Sequence, residues 1–74
     1  MKPAQQYYIA LSEYDFGWIP RDVERVAKLW DEGVHVCDMS HTLRRPIVEI
    51  AILVMDLAER GVIKNRPGGA KGER

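Results

Sequence analysis

The chain has 74 residues, which allows one domain. Eleven Lys and Arg offset eleven Asp and Glu, so the formal net charge is zero, which excludes a uniformly basic nucleic-acid coat and a polybasic membrane binder. Hydrophobic residues make up 46%, a globular rather than disordered composition. A domain this small buries only about 60% of its unfolded surface, so its core needs a metal, a disulfide or a partner subunit to be more than marginal. Cys37 is the single cysteine, which rules out an internal disulfide and points to a reducing, cytoplasmic setting. The longest apolar run, residues 50–55, is far short of the roughly 20 residues that span a bilayer, and no signal-peptide core is expected, so no membrane partner is expected either.

The zero net charge is a balance between two halves. Residues 1–43 carry four basic and seven acidic side chains, and residues 44–74 carry seven basic and four acidic. The chain is therefore polarised, from −3 in front to +3 behind.

Residues 1–19 form an aromatic segment with five of the six aromatics. Residues 6–11 are compatible with a short strand or with a helical turn entered at Pro3. Residues 21–32 follow as an amphipathic helix. Ile19, Val23, Val26, Ala27 and Trp30 share one face at 100° per residue, with Glu24 and Lys28 placed as an i,i+4 pair. Pro20 suits its first turn and Gly33 its left-handed stop. A short second helix is expected over 36–43, with Asp38 in its first turn and Met39 and Leu43 on the buried side. Pro46 opens a third helix, roughly 46–60, ended by Gly61. Val62, Ile63 and Lys64 suit a short strand. Residues 64–74, with three glycines and a proline, read as a flexible basic tail.

The second and third helices resemble the helix-turn-helix family of small DNA-binding domains, in particular the compact regulators of phages and prophages. Met39, Leu43 and Ile50 stand at the family's apolar anchor positions, Ser40 replaces its small alanine, and the resemblance covers about 21–63. It implies a mainly α, three-helix unit of trihelical or winged-like type, folded over residues 20–63. Two departures stand out. Arg44 occupies the turn position usually held by glycine, where a left-handed backbone strains any residue with a side chain. The third helix, which reads bases in the family, here offers Ile47, Val48, Ala51, Ile52 and Met55, none with a hydrogen-bonding group for a base edge.

Ten of the twelve residues from 47 to 58 are apolar. A helix apolar nearly all round needs cover on both sides. Residues 1–19 folding back provide one source of cover and a second subunit another. Ile47, Val48, Ala51, Ile52 and Met55 are accordingly expected at a dimer or partner contact. Arg44, Arg45, Lys64, Arg66 and Lys71 are the candidate phosphate contacts. Glu49 and Asp56 are expected to salt-bridge to Arg45 or Arg60. His35, Asp38, Cys37 and His41 are metal-ligand types, but His35 falls at a helix cap and no second cysteine is present, so no metal and no cofactor is expected. No catalytic arrangement is evident. The resulting expectation is a dimeric helix-turn-helix protein that binds double-stranded DNA and regulates transcription. The alternative is a phage-type interaction module that docks on a host protein through helix 46–60.

Overall fold

The computed structural model describes residues 7–72; Pro3, Gln6, Glu73 and Arg74, which entered the readings of the two ends, lie outside the described residues. Three helices follow one another: α1 (Pro20–Asp31), α2 (Val36–Leu43) and α3 (Ile47–Glu59). A single 3-10 turn, Gly69–Lys71, comes after them, and no strand forms among the described residues. The chain is a mainly helical, three-helix unit in which every helix packs on the other two.

Each helix places one side chain at the centre. Val26 of α1, Met39 of α2 and Ile50 of α3 are completely buried. Trp30, Val36, Leu53, Leu57 and Ile63 close the core around them. Ile19 was expected on the buried face of α1 but is 53% exposed. It is the N-cap of α1 with an extended backbone, so the helical wheel does not carry its side chain inward. On α1, Asp22 pairs with Arg21 and Arg25, and the expected Glu24–Lys28 pair is absent among the described residues.

All three helices stop in the same way. The amide that follows a left-handed residue bonds back to a carbonyl in the last turn: Val34 to Leu29, Arg45 to Ser40 and Val62 to Leu57, at 3.0, 3.2 and 2.9 Å. The left-handed residue in these motifs is Gly33, Arg44 and Gly61 in turn, with φ of 81°, 56° and 75°. The third closure explains why no strand forms at Val62. Its amide is taken by Leu57, and the reversal drops Ile63 into the core at 4% exposure.

Arg44 therefore adopts a left-handed backbone, the conformation that glycine takes most easily, with φ 56° and ψ 43°. A residue with a Cβ is disfavoured there by about 1–2 kcal/mol. Ser40 holds the same turn by donating its hydroxyl to the Arg45 carbonyl. Arg44→Gly is expected to raise stability by about 0.5–1 kcal/mol, after the greater freedom of glycine in the unfolded chain is subtracted. A urea midpoint that falls instead would show that the Arg44 side chain contributes more than its backbone strain.

Candidate functional site

The outer face of α3 is built by subtraction. Ile50, Leu53 and Leu57 turn inward, which leaves Ile47 41% and Met55 64% exposed. Ala51 lies exposed between them, and Val48 and Ile52 are half-buried. These are the five residues expected at a partner contact. They form one continuous apolar strip at helical spacing. Among the described residues, the N-terminal segment leaves Ile47, Ala51 and Met55 exposed.

The candidate phosphate contacts divide into two groups. Arg44, Lys64 and Lys71 are exposed and make no ion pair with a described carboxylate. Arg45 and Arg66, the other two candidates, are turned inward. Each guanidinium stacks on a tryptophan and directs its donors to backbone carbonyls, so neither its face nor its fork is free for a phosphate.

Arg45 lies 3.7 Å from the centroid of the Trp18 ring. Its Nη atoms donate to the carbonyls of Asp15 and Gly17 at 3.0–3.1 Å. Its Nε donates to Glu49 Oε1 at 2.5 Å, an i,i+4 pair across the start of α3. The second Glu49 oxygen accepts from the Asp15 amide at 2.8 Å. Glu49 is only 6% exposed, so this carboxylate belongs to the interior rather than to a charged stripe. The Asp15 amide and then the Arg45 guanidinium hold its pKa below the ordinary carboxylate value. Together these bonds tie residues 15–18 to the first turn of α3.

Arg66 repeats the device at the other end. It lies 3.7 Å from the centroid of the Trp30 ring. Its Nη1 donates to the Trp30 carbonyl at 2.6 Å and its Nη2 to the Val34 carbonyl at 2.7 Å. These carbonyls sit at the end of α1, the negative pole of the helix. Burial lowers the Arg66 pKa, though a guanidinium stays protonated. Nε of Arg66 donates to the Gly69 carbonyl, and Trp30 Nε1 donates to the Lys64 carbonyl at 2.8 Å. The segment expected as a flexible tail is thus docked through residue 72. The docking needs glycine: a Cβ at Gly72 would stand 2.0 Å from the Gly33 carbonyl oxygen.

Neither clasp was read from the sequence. The Arg45–Glu49 spacing was visible, but the two tryptophans gave no signal that they would receive arginines. His35 Nδ1 accepts from the Cys37 amide at 2.9 Å and so caps α2. Among the described residues no group of three or more His, Cys, Asp or Glu is placed to hold a metal ion. A groove between α1 and α2, about 250 Å³ in volume, is lined by Arg25, Lys28, Leu29, Glu32 and Thr42. Its mixed charges and open form concentrate no chemistry. No helix among the described residues is long and apolar enough to cross a membrane. No protein-family model matches the chain, and no curated protein or solved structure is detectably similar to it.

Proposed function

We propose that the chain is a helix-turn-helix-type DNA-binding or transcription-regulatory protein of the cytoplasm that works as a dimer. The observation that carries this reading is the α2–α3 junction. Two helices meet through the left-handed Arg44, and α1 packs across both. Arg44, Lys64 and Lys71 are then the phosphate contacts. The outer face of α3 serves as a subunit contact and not as a reader of bases, because it offers no hydrogen-bonding groups. Sequence preference comes from duplex shape and deformability.

The second reading is a module that docks on another protein through the same face. It is favoured by the exposure of Met55 and Ile47 and by the inward turn of Arg45 and Arg66. Fluorescence anisotropy with a labelled duplex separates the two. The affinity of a dimer using three cations per subunit is expected to fall with salt at a log–log slope near −5, about −0.9 for each phosphate contacted. Arg44→Ala removes two contacts by symmetry and lowers that slope by about 2. Absence of duplex binding at low salt would remove the DNA reading and leave the docking module.

A further inference from the structure

We infer that residues 7–16 form an arm that crosses to a second copy of the chain and packs on the outer face of that copy's α3. The inference deepens the dimer proposed above and rests on that part of it. The arm is fixed at its root, because the Asp15 amide bonds to Glu49 and the Asp15 and Gly17 carbonyls accept from Arg45. Large side chains of the arm and its root stand in water. Tyr8 is 93% exposed, Ile9 69%, Tyr7 65% and Phe16 56%.

The dimensions agree. The longest helix has 13 residues, about 20 Å of axis, and two of the principal extents, 24 and 22 Å, fit a bundle of that size. The third extent is 50 Å. The chain thus extends past its helices, and a tyrosine-rich segment left in water is an unfinished contact.

Two features point to a second copy as the occupant. First, the same chain carries two uncovered apolar surfaces, the arm and the outer face of α3, and they do not cover each other: Met55 stays 64% exposed. The arm is rooted at the first turn of α3, beside that face, so a two-fold axis that brings two α3 helices together lets each arm reach the other's helix. Second, the shapes correspond. The arm turns at residues 10–13, with the Tyr14 amide bonded to the Leu11 carbonyl. An open hollow of about 320 Å³ lies at the turn, lined by arm residues alone, Tyr8, Ile9, Leu11 and Tyr14 among them. Met55 is a flexible, protruding side chain of the kind that fills such a hollow. The area also suffices. A buried aromatic removes about 150–250 Å² from water. Two arms with the surfaces they cover therefore reach the ~1,200–2,000 Å² of a stable interface.

Sedimentation equilibrium of the full chain, from low micromolar to about 100 μM, tests the inference. The wild type is expected to be a dimer. Tyr8→Ser/Ile9→Ser, which touches no core residue, is expected to keep the helical circular dichroism and weaken the dimer at least about a hundredfold, since each loss counts twice by symmetry. Met55→Asp is expected to do the same. On a Cys37→Ser background, Tyr8→Cys mixed with Met55→Cys is expected to give the mixed disulfide under mild oxidation. A wild type that stays monomeric at the highest concentration overturns the inference. So does a dimer indifferent to the arm substitution, which would mean direct α3–α3 contact. Duplex affinity measured in parallel keeps the two proposals apart: a dimer with no duplex affinity removes the DNA reading alone, and a monomer that binds duplex removes the arm alone.

Discussion

Trp30→Ala is expected to leave the chain largely unfolded at 25 °C, while Trp30→Phe stays folded with a lower urea midpoint. Trp30 is 8% exposed and belongs to the core, closing it around Val26, Met39 and Ile50. Truncating a buried tryptophan costs about 3–5 kcal/mol through lost transfer energy and the cavity left behind. Here the ring is also the surface on which Arg66 stacks, worth about 0.5–2 kcal/mol. A 74-residue domain has roughly 4–11 kcal/mol of total stability, so the substitution removes most of it. Phenylalanine keeps much of the packing and the stack but loses the indole donor to the Lys64 carbonyl, a cost of about 1–2 kcal/mol. Arg66→Lys separates the tail from the core. It keeps the charge, loses the fork that reaches two carbonyls, and is expected to expose residues 64–72 to protease with the helical signal intact. Retention of more than half the wild-type unfolding free energy in Trp30→Ala would show that this clasp is peripheral.

The helices were legible because their signals are local. Pro20 and Pro46 mark two starts, Gly33 and Gly61 two stops, and the apolar spacing of Val26 and Trp30 or of Ile50, Leu53 and Leu57 marks the inner faces. The left-handed turn at Arg44 was not legible, since an arginine carries no left-handed signal of its own. The clasps were not legible at all. Arg66 and Trp30 are 36 residues apart, and Arg45 reaches carbonyls 28 and 30 residues away. No periodicity encodes a contact of that range. A basic, glycine-rich end reads as a free tail by composition, and only the accounting of its carbonyls and guanidinium shows it docked. For the candidate site this changes the count of available cations. The positive half of the chain holds Arg44, Lys64 and Lys71 outward, and two of its arginines serve the fold.

The clasp at the other end should be visible as a dependence of stability on pH. The folded pKa of Glu49 lies below its ordinary 4.5, held there by the Asp15 amide and the Arg45 guanidinium. A carboxyl with a depressed folded pKa stabilises fully above the unfolded value and loses that contribution as pH falls through the folded one. The wild type is therefore expected to lose stability as pH drops below about 4.5. Glu49→Gln removes this component, so its urea midpoint should start lower at neutral pH and converge on the wild type in acid. Arg45→Ala should retain part of the dependence, because the largest influence on Glu49, the Asp15 amide, is still present. Its neutral-pH loss is on the order of 2–3 kcal/mol, from the bonds to the Asp15 and Gly17 carbonyls and the stack on Trp18. The arm is rooted through the same atoms, so Arg45→Ala should also loosen residues 7–16 and raise their amide exchange while Met39 and Ile50 keep theirs. Equal pH slopes for Glu49→Gln and the wild type between pH 3 and 5 would mean that the carboxylate does not tie the arm to α3 in solution.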